Sequence, residues 1–315
     1  MHKSLIILDT DIGTDCDDAG ALAMLHALQS LGEAEILACT HSNSLTYGPA
    51  CIELINNLCG HGDIPVGANK NRSFGEKEKS FDNYAGRLAR AGGLAHKKTS
   101  DYPSAVNLMR QVLAGAADAS VTMVGIGPIS NFAALLKSKP DEFSPLGGES
   151  LVPLKVKELV LMAGFFKYDE FEKYSGHLNP NMGEYNVCQD IGAAKYVAEN
   201  WPGSIVFSGF EIGFEIITGG ALSAVFGADN LVRMAYESYG GRRFSWDQTA
   251  VLYAVRGAEP YWDLSEAGRV EVNEFGTTIF QADKNFNRRF LIQKLPPKEL
   301  ETVIDELVVR GIKQE

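Results

Sequence analysis

Cysteine is scarce in this sequence, and its spacing matches no metal or redox motif. The five cysteines are an odd number, and no pair has Cys-x-x-Cys spacing. Zinc ribbons and thioredoxin-like centres use such pairs, so the sequence predicts neither kind of site. Unpaired thiols are typical of a reducing compartment, and we expect a cytoplasmic protein.

Long apolar runs are also lacking. No stretch of 18 apolar residues occurs, and Met1-His2-Lys3-Ser4 leads straight into a short apolar segment rather than a signal-peptide core. A membrane-spanning helix needs about 20 mostly apolar residues. We therefore expect no membrane partner. A chain whose signal peptide had been removed would look the same, so the cytoplasmic location rests on this pattern and on the cysteines only.

Basic residues are the minority among the charged residues. The chain of 315 residues has 29 Lys and Arg against 40 Asp and Glu, a formal net charge of −11. Nucleic-acid surfaces depend on clustered Lys and Arg, so no nucleic-acid partner is expected. The acidity leaves room for a metal ion or a small neutral ligand.

Apolar segments of strand length alternate with helical patterns along most of the chain. The patterns predict strands at 5–8, 35–40, 64–68, 121–125, 157–163 and 205–208, and a late hairpin at 270–281 followed by 289–293. They predict helices at 19–28, 49–59, 105–117, 130–136, 191–201, 230–239 and 248–255, and a last helix with apolar residues from Leu300 to Val308 that Gly311 ends. Such alternation is typical of an α/β fold with a mostly parallel, mixed open sheet between helices.

Two further expectations concern domain organisation. No Pro- or Ser-rich linker divides the chain, so residues 1–315 are predicted to form a single domain. The polar, Gly-rich stretch at 69–102 is predicted to run over the surface near the ligand. Ligands of open α/β sheets bind beyond the carboxyl ends of the strands, which is where we look for chemistry.

Five carboxylates follow the first predicted strand within ten residues, in the run Asp9-Thr10-Asp11-Ile12-Gly13-Thr14-Asp15-Cys16-Asp17-Asp18. One or two of them fit the start of a helix, where Asp is a good cap. The full set would repel one another without a cation. Crowded oxygen ligands suit Ca²⁺ or Mg²⁺, so the run indicates a metal site.

Other predicted strand ends carry polar side chains. Asn43 follows the second strand, Ser130-Asn131 follows the strand at 121–125, and Glu184-Tyr185-Asn186 lies on the loop after the strand at 157–163. Asp247 opens a helix. Each alone fits ordinary turn or cap chemistry. Their shared placement beyond strand ends favours one common site.

The run Asp-x-Asp-x-Gly, followed by Asp-Asp and a helix of small residues, resembles the inosine–uridine-preferring nucleoside hydrolases. With Glu184-Tyr185-Asn186 and the late Asp247, the resemblance covers most of the chain. It implies a Rossmann-like nucleoside hydrolase fold, a Ca²⁺ cofactor and a small ribonucleoside substrate whose N-glycosidic bond is hydrolysed. It also implies a homodimer or homotetramer.

The resemblance implies a role for each matching metal-site residue. Asp11 matches the calcium ligand that acts as general base on the attacking water, and Asp18 matches the bidentate ligand. Ser130 matches a position that offers its backbone carbonyl to calcium, and Asp247 matches the last protein ligand. Asp9 matches a residue that supports these ligands from behind.

The same resemblance implies the sugar contacts. Asp17, Asn43, Glu184 and Asn186 match residues that hold the ribose hydroxyls, and Tyr185 matches an aromatic residue near the sugar. Either Asn179 or Asn181 is expected to meet the 5′-hydroxyl, a choice that spacing leaves open.

The sequence departs from the family pattern in two places. Asp15-Cys16 lengthens the acidic loop by two residues, so we align Asp17-Asp18 with the family's paired aspartates because the predicted helix follows them. Many members have His before the last aspartate, where it protonates the leaving base, and here that residue is Trp246. Trp246 is expected to stack on the base or to serve as a core aromatic, and the leaving-group acid is left unassigned.

Two alternatives compete with this interpretation. Asp9-Thr10-Asp11 after a strand also resembles the haloacid-dehalogenase-like phosphatases, with Asp9 as phosphoryl nucleophile and Mg²⁺ as cofactor. A late Gly-Asp-x-x-x-Asp motif is lacking, and that interpretation leaves Glu184-Tyr185-Asn186 unused. The second alternative is a nucleoside-binding protein without turnover, which the Trp246 departure keeps open.

Overall fold

A large mixed β-sheet organises the molecule. The computed structural model describes residues 3–70, 84–178 and 182–312. Within these ranges, ten strands form one sheet in the order β11-β10-β12-β6-β5-β4-β1-β2-β3, with β9 paired to β12. The seven strands from β12 to β3 in this order run parallel to one another. Strands β9, β10 and β11 are joined to the sheet by antiparallel pairing. The predicted α/β class with a mostly parallel, mixed open sheet is confirmed.

The strands are short, as is usual in globular proteins. Their bounds are β1 Ser4–Thr10, β2 Ala34–His41, β3 Val66–Ala68, β4 Val121–Ile126, β5 Val156–Met162, β6 Ile205–Ser208, β7 Ile217–Thr218, β8 Arg243–Phe244, β9 Trp262–Leu264, β10 Gly268–Val272, β11 Thr278–Ala282 and β12 Arg288–Gln293. Strands β7 and β8 form a separate two-stranded ribbon.

Helices follow most of the parallel strands and cover the sheet. Their bounds are α1 Asp17–Ser30, α2 Gly48–Leu58, α3 Tyr84–Ala91, α4 Ala105–Gly115, α5 Ser130–Leu136, α6 Gly148–Lys155, α7 Tyr185–Gln189, α8 Ile191–Asn200, α9 Phe210–Gly213, α10 Leu222–Val225, α11 Leu231–Glu237, α12 Trp246–Arg256 and α13 Pro297–Ile312, with 3₁₀ helices at Thr99–Asp101 and Tyr168–Lys173. No helix in the described ranges combines the length and the hydropathy needed to cross a membrane.

Two apolar cores lie on opposite sides of the sheet. Successive side chains of a strand point to opposite faces, and β1 shows this directly. Ile6 and Leu8 belong to the core that contains α1, α2, α12 and α13, whereas Ile7 belongs to the core that contains α4, α5 and α8. Burial of both faces explains why the central strands read as continuous apolar runs.

The stretch at 69–102 is more structured than its composition predicts. Helix α3 lies inside it, with Tyr84, Ala85, Leu88 and Ala89 buried, and residues 71–83 lie outside the described part of the chain. The prediction of an irregular surface excursion is therefore wrong for Tyr84–Ala91. The helix is short and Ala-rich, and its apolar face packs on α2 and α11, which sequence periodicity over so few residues does not reveal.

Gly311 does not end the last helix. Helix α13 continues to Ile312, so the predicted stop is wrong. A Cβ atom at position 311 would lie 1.8 Å from the carbonyl oxygen of Ala23. The glycine therefore serves the close approach of α13 to α1, a tertiary contact that resembles a helix-stop signal in the sequence.

Candidate active site

A cavity of about 350 Å³ opens beyond the carboxyl ends of the central strands. Asp11 directly follows β1, and Ile126 and Met162 end β4 and β5, and all three line this cavity. Its volume falls within the range of roughly 300–1,000 Å³ typical of small-molecule sites. The position agrees with the rule for ligands of open parallel sheets.

The cavity wall carries two chemically different groups of side chains, which meet where Asp15 pairs with Arg243 and where Trp246 precedes Asp247. We call one the carboxylate end, lined by Asp11, Asp15, Asp17, Asp18, Glu184 and Asp247. We call the other the aromatic end, lined by His177, Tyr185, Phe210, Tyr239, Arg243 and Trp246. A ligand with a polar, hydroxyl-rich part and a flat apolar part would match both ends at once.

Three carboxylates of the carboxylate end are arranged to hold a cation. Oxygen atoms of Asp17, Asp18 and Asp247 lie within 4.8 Å of one another, and all three residues are buried. Asp17 and Asp18 begin α1, and Asp247 lies in the first turn of α12, where the helix dipole favours negative charge. A hard divalent cation with oxygen ligands fits this set of donors.

Burial makes the carboxylate end unfavourable without a compensating positive charge. Desolvation raises the pKa of Asp11 to about 6, and repulsion from Asp15 adds to it. Desolvation and mutual repulsion also raise the pKa values of Asp17, Asp18 and Asp247 well above their ordinary range. A bound divalent cation would reverse this effect by favouring the ionised forms.

Asp11 packs closely against the backbone at Gly127, where a side chain would collide with its carboxylate. A Cβ atom at Gly127 would lie 2.8 Å from Oδ1 of Asp11. On its other side, the Thr14 hydroxyl donates to Oδ2 of Asp11 at 2.7 Å. The carboxylate is thereby held at the edge of the cavity, within reach of a ligand that enters it.

Asp9 and Asn43 lie behind the cavity rather than in its wall. Asp9 is fully buried, and its Oδ1 accepts hydrogen bonds from Thr40 and Asn131. This position suits the expected supporting role. It excludes the attack on a substrate that the phosphatase alternative requires of Asp9. Asn43 donates to the Asp11 carbonyl at 3.4 Å and accepts from the Leu45 amide at 2.9 Å. Its predicted ribose contact stays a prediction.

Glu184 and Asn186 begin a helix that the sequence analysis placed on a loop and turn. Glu184 caps α7, and its carboxylate accepts from the amides of Asn186, Val187 and Gly164 at 2.8, 3.2 and 3.1 Å. Burial raises the pKa of Glu184 to about 7. Asn186 donates to the Met162 carbonyl at 3.0 Å, which ties α7 to the end of β5. The helix has five residues, too few for a periodic pattern.

Three other predicted site residues lie apart from the cavity wall or outside the described chain. Ser130 begins α5, and its hydroxyl donates to Asp190 at 2.7 Å, which leaves its backbone carbonyl as the expected metal ligand a prediction. Asn179 and Asn181 lie outside the described residues. Tyr185 lines the cavity with about half of its surface exposed.

Asp15, the first of the two extra residues of the acidic loop, belongs to a separate anchor. Asp15 forms a paired salt bridge with Arg243, with Nη2 to Oδ2 at 2.5 Å. The Tyr84 hydroxyl accepts from the Gly13 amide at 2.6 Å and donates to the Asp15 carbonyl at 2.5 Å. The Tyr239 hydroxyl donates to the Thr14 carbonyl. Asp15 is thus turned toward Arg243, while Asp17 and Asp18 meet Asp247.

Trp246 joins the carboxylate end to the aromatic end. It precedes Asp247 at the start of α12, is nearly buried, and lines the cavity. Its indole N–H donates to the Phe210 carbonyl at 2.9 Å, and its ring centroid lies 5.1 Å from that of Phe210. The ring is therefore part of an aromatic cluster and also faces the ligand, so the two expected roles are compatible.

The sequence analysis missed several residues of the cavity wall. They are Thr14, Asp15, His177, Phe210, Tyr239 and Arg243. Asp15 was visible in the acidic run but had no assigned role. Thr14 lies in the same run and likewise had no assigned role. The other four residues come from scattered segments that carry no local motif, and only the fold brings them together.

Comparison with known proteins identifies the family. The family model described as inosine-uridine preferring nucleoside hydrolase matches residues 6–299. The chain is 30% identical to the pyrimidine-specific ribonucleoside hydrolase RihB of Escherichia coli O9:H4 (strain HS), over 62% of this chain and 56% of that protein. The match thus spans little more than half the length of this curated relative.

Solved structures share the fold at low sequence identity. A purine-preferring ribonucleoside hydrolase from Gardnerella vaginalis superposes with a TM-score of 0.71 at 18% identity, covering 98% of this chain and 100% of that chain. An inosine-uridine preferring nucleoside hydrolase from Bacillus anthracis superposes with a TM-score of 0.68 at 15% identity, covering 98% and 100%. Because the family model covers nearly the whole sequence, the chain belongs to the inosine-uridine preferring nucleoside hydrolase family.

Proposed function

We propose that this protein hydrolyses the N-glycosidic bond of ribonucleosides, with Ca²⁺ as its cofactor, to give ribose and a free base. The observation that carries the proposal is the buried trio Asp17, Asp18 and Asp247, which shares one cavity with Asp11 and Glu184. Family membership supports the same reaction. The phosphatase alternative has no such support, because Asp9 does not line the cavity.

The metal would be held by Asp11, Asp18 and Asp247, with the Ser130 carbonyl as a further ligand. All are oxygen donors, as Ca²⁺ prefers. Carboxylate oxygens of Asp17, Asp18 and Asp247 lie within 4.8 Å of one another, so Asp17 is a further candidate metal ligand. Its assignment to a ribose hydroxyl rests on the family resemblance. When bound, calcium supplies positive charge that keeps these carboxylates ionised and coordination that orients the sugar hydroxyls.

The carboxylate end would bind the ribose. Asp17, Asn43, Glu184 and Asn186 are the proposed partners of its hydroxyls, with Asn179 or Asn181 at the 5′-hydroxyl. Asp11 would accept the proton of the attacking water as the water adds to the anomeric carbon. The negative charges around the sugar stabilise its oxocarbenium character as the bond breaks.

The aromatic end would bind the base. Trp246 and Phe210 offer flat apolar surface next to the carboxylate end, and Tyr185 adds a half-exposed ring to the cavity wall. Stacking on a ring accepts purines and pyrimidines alike. The named relatives differ in base, one pyrimidine-specific and one purine-preferring, so the base preference is a matter for measurement.

Ribose release from a panel of ribonucleosides tests the proposal. The purified protein would be assayed on inosine, adenosine, uridine and cytidine, with calcium, with a chelator, and after calcium is restored. We expect release that the chelator abolishes and calcium restores. We also expect 2′-deoxyinosine to react far more slowly than inosine, because the buried partners of the 2′-hydroxyl are left unpaired.

Other results would count against parts of the proposal. Nucleoside binding without ribose release would favour the binding-protein alternative. Full activity in the chelator would exclude the calcium role. Light scattering would test the accompanying prediction that the protein is a homodimer or homotetramer.

A further inference from the structure

A leaving base needs a proton unless it is unusually stable as an anion. This inference rests on the proposed function. In that proposal Asp11 serves the attacking water and the base lies among the aromatic side chains of the cavity, so we look among those side chains for the group that protonates the base. The residue before Asp247 is Trp246, whose indole N–H is not an acid at neutral pH and is already bonded to the Phe210 carbonyl.

Two other polar groups of the aromatic end are committed elsewhere. Burial alone would lower the pKa of Arg243, but the salt bridge to Asp15 outweighs this effect and raises the pKa. Arg243 therefore stays charged. The Tyr239 hydroxyl donates to the Thr14 carbonyl, and burial raises its pKa further above the ordinary value. Neither group exchanges a proton readily near neutral pH.

Two polar side chains remain at the aromatic end of the described cavity wall, His177 and Tyr185. Of these, imidazole is the commoner general acid in enzymes, and a phenol is a much weaker acid. His177 lines the cavity and is exposed to solvent. A solvent-accessible imidazole recovers a lost proton between turnovers without a relay. Its position at the cavity wall therefore combines access to the ligand with access to solvent.

The fold holds His177 in place on the aromatic cluster. Its amide donates to the carbonyl of the buried Tyr174 at 2.8 Å. Its ring packs edge-on against two phenylalanine rings. The centroid of the imidazole lies 4.9 Å from that of Phe214 and 5.7 Å from that of Phe244. Phe244 in turn lies 5.0 Å from Trp246, so one continuous cluster carries both the imidazole and the proposed stacking surface.

We propose that His177 protonates the departing base. As the C1′–N bond breaks, its electron pair goes to the base nitrogen, and the imidazolium of His177 supplies the proton that keeps the base neutral. Water adds to C1′ and gives its own proton to Asp11. Solvent then returns a proton to His177 and takes one from Asp11, so the net reaction is nucleoside plus water to ribose plus base.

A leaving group that needs no proton separates this role from a structural one. 4-Nitrophenyl riboside releases nitrophenolate, which is stable as an anion, whereas inosine and uridine release poor leaving groups. Loss of an acid slows only the second class. Loss of cavity shape slows both classes, because each substrate uses the same ribose contacts.

The test compares the full-length wild type with His177→Gln and His177→Ala on inosine, uridine and 4-nitrophenyl riboside, in saturating calcium. We expect kcat on the nucleosides to fall about 10²- to 10³-fold in both variants. We expect kcat on 4-nitrophenyl riboside to stay within about threefold, which also shows that the variants fold. His96→Gln is the matched control, because His96 is exposed and does not line the cavity.

Two results would overturn the inference while the proposed function stands. One is an equal fall on all three substrates, which indicates that His177 only shapes the cavity. The other is unchanged nucleoside hydrolysis in both variants. A wild type that cleaves neither the nucleosides nor the nitrophenyl riboside would instead overturn the proposed function, and this inference with it.

Discussion

The two ends of the cavity differ in how the chain builds them. The carboxylate end comes mainly from one short run, Asp11 to Asp18, which joins β1 to α1. The aromatic end comes from separate segments of the chain, with Phe210 in α9, Trp246 in α12, and His177 and Tyr239 in turns between elements. The first end is thus encoded locally, and the second exists only in the folded chain.

The ends also differ in what burial does to them. At the carboxylate end, burial and charge repulsion raise the pKa values of the carboxyl groups, and a bound cation would offset this repulsion. At the aromatic end, burial of rings is itself stabilising. We infer that the carboxylate end depends on its metal, while the aromatic end is largely preformed.

The largest effect is expected at the carboxylate end, from Asp11→Asn. The amide keeps the size of the side chain and an oxygen ligand but cannot accept the proton of the attacking water. We expect kcat for ribose release to fall about 10³-fold, while calcium titration still shows binding. Asp63→Asn, at an exposed position outside the cavity, is the matched control. An Asp11→Asn protein with wild-type kcat would remove the general base from the account.

Much of the fold could be predicted from the sequence, and so could the carboxylate end. The helix at Ser130–Leu136 and the strand at Ile205–Ser208 have the predicted bounds, because the apolar residues of each follow the period of the element that they form. Asp17-Asp18 stood out because five like charges within one loop need a physical explanation. The glycine at 311 misled the analysis, since a close helix contact and a helix stop favour the same residue.

One buried carboxyl group lies beside the aromatic cluster, and its behaviour can be compared with that of the carboxyl groups at the carboxylate end. Glu211 follows Phe210, is buried, and accepts a hydrogen bond from the Phe166 amide at 3.3 Å. Burial raises its pKa from 4.5 to about 7. Between these pH values the folded chain holds this proton and the unfolded chain does not, so stability falls as pH rises and the loss is complete above pH 7.

The Glu211→Gln variant should not lose this free energy of unfolding as pH rises, because glutamine is uncharged at every pH. We expect the variant to exceed the wild type in free energy of unfolding by up to about 3 kcal/mol at pH 8 and by almost nothing at pH 4. Urea denaturation at the two pH values measures this difference, with and without calcium. Glu172→Gln, an exposed position, serves as control. An equal effect at both pH values would show that Glu211 is not a buried acid.

The smallest effect is expected from Trp246→Ala, which tests whether the two ends act separately. Loss of a stacking ring costs about 0.5–1.5 kcal/mol beyond lost area, so KM for nucleosides should rise about tenfold. The inhibition constant of free ribose should stay near its wild-type value, because ribose uses only the carboxylate end. Trp246→Phe should recover most of the loss. A matching rise in the ribose constant would show that Trp246 mainly positions Asp247.

The aromatic end could not be predicted because its members carry no shared local signal. His177 and Arg243 are ordinary polar residues in the sequence, and their neighbours in space lie far away in sequence, as far as 228 residues for Arg243 and Asp15. The helix at Tyr84–Ala91 was missed for the same reason, although Tyr84 anchors the acidic loop. Such contacts depend on strand order and helix packing, which periodicity does not fix.

A crystal structure with calcium and ribose would show the proposed metal and sugar contacts themselves. We expect one calcium ion bonded at about 2.3–2.6 Å to oxygens of Asp11, Asp18 and Asp247 and to ribose hydroxyls, with Asp17 and Glu184 against the same sugar. Ribose bound in the cavity without a metal, or calcium bound away from these aspartates, would contradict it.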